Sequence, residues 1–352
     1  MSLLQLRDVA VTYRAASGEV PAVRGVSLAL PAGQALGVAG ESGSGKSTLA
    51  MALLRLLPRD ARVTGEILLD GEDVLGMKWG RLRAVRWASA SVVFQGAQHA
   101  LNPVRRIGEQ IAEPLLVHGM ATAAEARRKA GELLEHVGLP AWRARGYPHE
   151  LSGGQRQRVM IAMALACSPR LIVADEPTTA LDVMIQAQVL ALIRSLIAEH
   201  DIGLIMISHD LSVLASMCDR LAVMYAGRVV ESGPSREVFQ SARHPYSRAL
   251  SEAFPTVGDP ASRMAPKGLG GDPPDPAHLP AGCSFHPRCP VSLPSCASRD
   301  VELWPVDESR GEADSPNAHT AACVHVRPEG VQPAEGGGDH DGPAVQPAEE
   351  VR

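Results

Sequence analysis

The string Gly40-Glu-Ser-Gly-Ser-Gly-Lys-Ser47 constrains this chain more than any other feature of its sequence. It fits G-x-x-x-x-G-K-[ST] and stands between an apolar stretch at 34 to 39, read as a strand, and a helical pattern at 46 to 57. Glycines at 40, 43 and 45 let the main chain close around phosphate oxygens, so that successive N–H groups and a helix N-terminus point at negative charge. Lys46 is placed to reach the terminal phosphates of a nucleotide, and the Ser47 hydroxyl to bind Mg²⁺. The expected cradle is Gly40, Glu41, Ser42, Gly43, Ser44, Gly45, Lys46, Ser47 and Thr48. A Gly/Ser loop can carry a lysine by chance. Here only four lysines (Lys46, Lys78, Lys129, Lys267) stand among 34 basic residues, which argues against chance.

A second string supports the first. Leu171-Ile-Val-Ala-Asp175 is an apolar run ending in a carboxylate, as a buried strand delivering Asp175 to a metal would be, and Glu176 follows directly. A carboxylate one residue past the strand end can orient and deprotonate an attacking water. Alone, an Asp-Glu pair at a strand end is as readily a solvated turn; after a phosphate loop that reading loses ground. Short apolar runs at 91 to 95, 171 to 175 and 202 to 208 read as buried parallel strands of an α/β core. Residues 3 to 13 and 20 to 30 alternate apolar and polar, predicting two antiparallel strands joined around Gly18. Between 95 and 151 the pattern is helical, strongest at 107 to 117 and 125 to 137, which predicts a helical insert. The stretch 254 to 280 is rich in Pro, Gly and Asp and reads as a linker or wrapping segment, and 328 to 352 as a disordered tail.

A net charge of only −5 creates no field that would draw the chain to nucleic acid or an anionic bilayer, so membrane contact is expected through a partner. No unbroken apolar run approaches the roughly 18 residues of a spanning helix, and the start has no basic region leading into a long apolar one. The expected place is the cytoplasm. Cys167 and Cys218 fall in apolar segments and read as core residues.

The string that separates families of phosphate-loop proteins is Leu151-Ser-Gly-Gly-Gln155. Physically it offers a second anion-binding helix N-terminus, with donors from Ser152, Gly153 and Gly154 before a helix. On this motif and the two before it, the chain resembles the ATPases of ABC transporters over about residues 3 to 240. The resemblance implies a P-loop NTPase (RecA-like) α/β core over 1–240, with an antiparallel β subdomain and a helical subdomain at about 96–165. It implies ATP and Mg²⁺ as ligands, Ser47, Gln95 and Asp175 at the metal, Glu176 as base and His209 as the switch histidine. It also implies Tyr13 stacking on adenine, Gln95 linking the core to the insert, and Leu181-Asp182 as the D-loop. Ser152, Gly153, Gly154 and Gln155 would face a nucleotide held by a second ATPase subunit, so that an isolated chain hydrolyses ATP poorly.

Further strings look like the oligopeptide/dipeptide importer branch: Leu101-Asn-Pro-Val104, Ile107-Gly-Glu-Gln110, Tyr147-Pro-His-Glu-Leu151, His244-Pro-Tyr246 and Pro280-Ala-Gly-Cys-Ser-Phe-His-Pro-Arg-Cys-Pro290. Gly96 to Ala100 departs from the commonest form in that branch. The implied partners are a second ATPase subunit, favoured as a paralogue, two transmembrane permease subunits and an external binding protein, with this chain peripheral on the cytoplasmic membrane face. Nickel or another solute is a rival substrate, and a soluble ABC ATPase a rival class. In the extension, 241–327, Cys283, Cys289, Cys296 and Cys323 are spaced C-x5-C-x6-C-x26-C. Four thiolates can hold a [4Fe-4S] cluster or Zn²⁺, or remain structural, and spacing does not choose; the resemblance favours the cluster.

Overall fold

The computed structural model describes residues 2–15, 18–94, 96, 100–179, 181–253, 269–306 and 318–326. The chain starts as a long antiparallel hairpin, β1 (Ser2–Ala15) and β2 (Gly18–Pro31), as the alternation predicts. It then passes through β3 (Ala35–Ala39) and α1 (Lys46–Leu53) and returns as β4 (Arg62–Leu69) and β5 (Glu72–Asp73). These complete a four-stranded antiparallel sheet of order β2-β1-β4-β5. Helix α1 is shorter than its pattern suggests. Arg55 turns left-handed at φ 50, and Pro58 bars Leu57 from helical geometry. Helix α2 (Trp79–Val85) leads to the second sheet.

That sheet has eight strands, in the order β11 (Trp304–Pro305), β12 (Thr320–Ala321), β10 (Arg228–Pro234), β9 (Arg220–Tyr225), β3, β8 (Gly203–Ser208), β7 (Leu171–Asp175) and β6 (Ala90–Val93). Its parallel centre comprises β9, β3, β8, β7 and β6. Side chains alternate between two apolar clusters. Leu171, Val173, Ile205 and Ile207 join the one beneath the antiparallel sheet and α1, while Ile172, Ala174, Leu204 and Met206 join the other. Both faces are covered, so these strands read as continuous apolar runs.

The predicted helical insert is present. Helix α3 (Ile107–Val117) buries Ile107, Ile111 and Leu115 at four-residue spacing against Ala126, Ala130, Leu133 and Leu134 of α4 (Ala123–His136). Helix α4 begins two residues before its apolar pattern because Thr122 and Glu125 form a capping box. Helix α5 (Gly153–Leu165) closes the insert. Then α6 (Val183–His200) packs through Val189, Ile193 and Leu196. By length and composition α6 could cross a membrane, at a mean hydropathy of 1.2, which the search for unbroken apolar runs missed. Its buried residues at i, i+4 and i+7 give it one apolar stripe against the domain.

Helix α7 (Leu211–Met217) precedes β9, and β10 (Arg228–Pro234) then leads into α8 (Ser235–Gln240) and α9 (Pro245–Glu252). The C-terminal residues extend the same sheet: β12 (Thr320–Ala321) pairs antiparallel with β10, and β11 (Trp304–Pro305) with β12. Fully buried Glu231 fastens this edge. It accepts the Arg243 N–H at 2.7 Å and the His244 N–H at 2.9 Å, and pairs with His319 Nε2 at 2.7 Å. The expected tail at 328–352 and residues 254–268 of the expected linker lie outside the described residues.

Candidate active site

Strand order explains how distant motifs meet. Because β8 lies between β3 and β7 in a parallel arrangement, the segments leaving their C-terminal ends emerge side by side. The first is the phosphate loop. At its end Gly45 has φ +99, and a Cβ there would stand 2.3 Å from the Ala22 carbonyl oxygen of β2. Only glycine permits that approach. The Lys46 ammonium is buried and donates to the carbonyls of Gly40 and Glu41, both at 2.7 Å, and to Ser44 Oγ at 3.3 Å. Burial lowers its pKa, while Glu176, Asp175 and Glu41 work the other way. The loop from Glu41 to Thr48 lines a cavity of about 620 Å³, which Glu176 also borders.

The second segment follows β7. Asp175 is buried, and burial raises its pKa against a hydrogen bond from Ser47. Its Oδ1 has no hydrogen-bond partner among the described residues. An orphaned carboxylate oxygen next to a serine hydroxyl fits a divalent cation, which would supply the missing partner. Glu176 adopts a left-handed backbone at φ 46, rare for a side chain of this kind. Several contacts hold it there: its N–H donates to the Ile207 carbonyl at 3.0 Å, and Thr179 Oγ1 donates to its Oε2 at 2.8 Å. The third segment, after β8, brings His209 Nδ1 within 3.5 Å of Glu176 Oε1, at the outer limit of a hydrogen bond.

Other predicted residues fall elsewhere. Tyr13 donates to Thr48 Oγ1 at 3.3 Å and packs against the core under the antiparallel sheet. The cavity wall near it consists instead of Val20, Pro21 and Ala22. Gln95 lies outside the described residues. Ser152 caps α5 in a capping box with Gln155, and Gly153 and Gly154 form the first turn. A Cβ on Gly154 would meet Ile185 of α6 at 2.3 Å, so α5 and α6 start in contact. Asp182 caps α6 by accepting the Ile185 N–H at 3.0 Å. None of these caps borders the cavity formed by the phosphate loop.

Sequence reasoning missed the far wall. Tyr225, Ala226 and Gly227 border the cavity, as do Pro273, Pro274, Asp275, Pro276 and Leu279 of the wrapping segment. Two more residues touch the loop from outside: the Tyr246 hydroxyl accepts the Glu41 N–H at 2.8 Å, and Arg288 pairs with the Glu41 carboxylate. Both belong to C-terminal strings that stand out in the sequence without suggesting a role. The iron–sulfur expectation is not supported. Cys283, Cys289, Cys296 and Cys323 are free thiols near enough to influence one another, but no group of three or more potential ligands is arranged to hold a metal among the described residues. Burial is the largest influence on Cys283, Cys289 and Cys323 and raises their pKa values in the metal-free chain.

Comparison with known proteins agrees with the site. A family profile described as ABC transporter matches residues 23–179, and one described as oligopeptide/dipeptide transporter, C-terminal region, matches residues 230–296. The oligopeptide transport ATP-binding protein OppD of Salmonella typhimurium is 45% identical over 296 residues, covering 84% of this chain and 88% of OppD. OppD of Escherichia coli is 44% identical over 299 residues, with the same coverage. Among solved structures, the dimeric ATP-binding cassette MJ0796 in a post-hydrolysis state with ADP and Pi superposes with a TM-score of 0.60 at 30% identity, covering 66% of this chain and 99% of that one. The cbiO1 subunit of a Clostridium perfringens ABC transporter complex gives 0.58 at 27% identity, covering 68% and 91%. This chain therefore belongs to the ATP-hydrolysing subunits of ABC transporters, in the branch that carries the oligopeptide/dipeptide transporter C-terminal region.

Proposed function

We propose that ATP hydrolysis by this subunit powers the import of oligopeptides or dipeptides. The observation that carries the reading is the convergence of Lys46, Asp175, Glu176 and His209 at neighbouring strand ends, with Lys46 and Glu176 lining one cavity. In this reading the loop N–H groups and Lys46 bind the β- and γ-phosphates. Ser47 and Asp175 would hold Mg²⁺, with Gln95 as a further ligand, and the bound ion would neutralise charge on the phosphate oxygens. Glu176 accepts the proton of the water that attacks the γ-phosphorus as the bond to the bridging oxygen of ADP breaks. His209 contacts the γ-phosphate and steadies Glu176.

Ser152 to Gln155 and Asp182 serve a nucleotide on a second subunit, a paralogue of this chain. The dimeric MJ0796 cassette supports the pairing of two subunits, as does the placement of both helix caps away from the chain's own cavity; the peptide-importer resemblance favours a paralogue over an identical copy. Subunits of this family are typically peripheral at the membrane. Exposed apolar residues around the insert, Phe94, Val104, Leu116, Val117 and Met120, suit a contact with two permease subunits. An external binding protein would deliver the peptide. The names of the relatives and the matched C-terminal region favour peptides.

The test is Glu176→Gln in the assembled complex. It should retain ATP and lower turnover by about 10²- to 10⁴-fold, the usual contribution of a general base; a rate near wild type removes Glu176 from that role. Peptide should stimulate ATP hydrolysis by the wild-type complex in vesicles, and absence of stimulation across a peptide library would refute the substrate class.

A further inference from the structure

Glu41 is the second residue of the phosphate loop, and three of its groups are held. Its carbonyl accepts the Lys46 ammonium at 2.7 Å, and its N–H donates to Tyr246 Oη at 2.8 Å. Its carboxylate receives two bonds from one guanidinium: Arg288 Nη1 donates to Oε2 at 2.7 Å and Nη2 to Oε1 at 3.0 Å. Such a bidentate pair fixes orientation as well as distance. The Arg288 side chain is only 6% exposed and that of Glu41 25%, so water screens the pair weakly.

Arg288 also reaches two other elements. Nη1 donates to Tyr225 Oη at 3.3 Å at the end of β9, and Nε donates to the Gly270 carbonyl at 3.0 Å. Gly270 stands just before Pro273 to Leu279, the segment that forms the cavity's far wall. Beneath the guanidinium, the rings of Tyr225, Tyr246 and Phe285 pack with centroids 4.6 to 5.4 Å apart. One buried cation thus joins the phosphate loop, a core strand and the far wall.

We propose that Arg288 is a positioning residue of the nucleotide site, through which the C-terminal module sets the affinity of the phosphate loop for ATP. This rests on the cavity being the ATP site. Two physical effects act together. The bidentate grip fixes the loop residue whose carbonyl steadies Lys46. It also neutralises a carboxylate that would otherwise face a polyphosphate, since an anionic side chain in an anion-binding loop opposes binding unless paired.

The experiment titrates a fluorescent ATP analogue with Mg²⁺ into the full-length chain. Arg288→Gln should weaken binding roughly 10- to 100-fold, the range expected on losing a buried charge-assisted pair. Arg288→Lys, which keeps the charge and loses the fork, should fall between. Adding Glu41→Gln to Arg288→Gln removes the exposed carboxylate and should restore affinity to within about threefold of wild type. A purely structural role predicts no such rescue, so a double variant as weak as the single one overturns the proposal. Binding by Arg288→Gln within about twofold of wild type overturns it too.

Asp300→Asn breaks a different ion pair that ties the C-terminal module to the core, the one with Arg228 of β10, and should leave affinity unchanged. A loss equal to that of Arg288→Gln would show that any loosening of the module suffices and would overturn the specific role. Lys46→Ala tests the underlying reading: if it binds the analogue normally, the cavity is not the ATP site. If Lys46→Ala loses binding and Arg288→Gln does not, only the present inference fails. Should Arg288→Gln fail to fold by circular dichroism, Arg288→Lys carries the test, and affinity equal to wild type refutes the proposal.

Discussion

His244 sits where a proton cannot easily follow, and this makes the stability of the chain depend on pH in a calculable way. The side chain is 1% exposed, lies 5.8 Å from the Phe285 ring, and caps α9 by accepting the Tyr246 N–H on Nδ1 at 3.1 Å. Burial lowers its pKa from 6.5 to about 4, and the nearby Glu231 offsets only part of that. Below about pH 6.5 the unfolded chain takes up a proton that the folded chain refuses. The contribution is therefore complete above about pH 6.5 and is lost as pH falls towards about 4. At about 1.4 kcal/mol per unit, the loss reaches roughly 2 kcal/mol at pH 5 and roughly 3 kcal/mol near pH 4. His244→Asn keeps a side-chain oxygen for the Tyr246 N–H but does not titrate. Urea unfolding of both proteins at pH 7.5 and pH 5, followed by circular dichroism, isolates the effect, because other titrating groups cancel between them. The wild type should lose about 2 kcal/mol more than His244→Asn on acidification; equal losses would refute the account of a neutral, buried cap.

Two further substitutions or treatments test the site. Gly45→Ala places a Cβ 2.3 Å from the Ala22 carbonyl at φ +99. The left-handed conformation alone costs about 1–2 kcal/mol, and the loop must also retreat from β2, so ATP-analogue affinity should fall about tenfold or more; unchanged affinity would show that the close approach is dispensable. The half-buried thiols of Cys283 and Cys289 and the buried thiol of Cys323, whose pKa values are raised, should react with iodoacetamide at pH 7.5 well below the rate of free cysteine, and all six cysteines should react once the chain is unfolded. Native labelling at the free-cysteine rate would contradict their burial.

What could be read in the sequence was what local chemistry dictates. Strands β7 and β8 announce themselves because both faces are buried, and the phosphate loop because its glycines and lysine allow few other uses. The contact of His209 with Glu176 was harder to foresee: each position was legible, but their pairing depends on β8 lying beside β7 in the sheet. The helix expected at 46 to 57 ran too long because apolar periodicity continues through Leu56 and Leu57, while backbone geometry at Arg55 and Pro58 stops it. Four cysteines and the family resemblance suggested a cluster; the thiols do come near one another, yet spacing along the chain does not fix whether their sulfur atoms are arranged around a metal. The Glu41–Arg288 pair was illegible for a plainer reason. Its members stand 247 residues apart, and each alone resembles an ordinary surface charge.

The site is consequently assembled from both ends of the sequence. The chemical groups come from three adjacent parallel strands, whose ends are fixed by a core buried on both faces. Part of the far wall, Pro273 to Leu279, and the grip of Tyr246 and Arg288 on Glu41 come from the C-terminal residues, which join that core through buried Tyr246 and Phe285 and, at Arg243, His244 and His319, through Glu231. Glu176 is held in a left-handed conformation by contacts from β8 and Thr179. Glu41 depends on the C-terminal module. Damage to that module should therefore appear in nucleotide affinity before it appears in the chemical step, because Glu176 and His209, the groups proposed to act on the water, stand at the ends of β7 and β8.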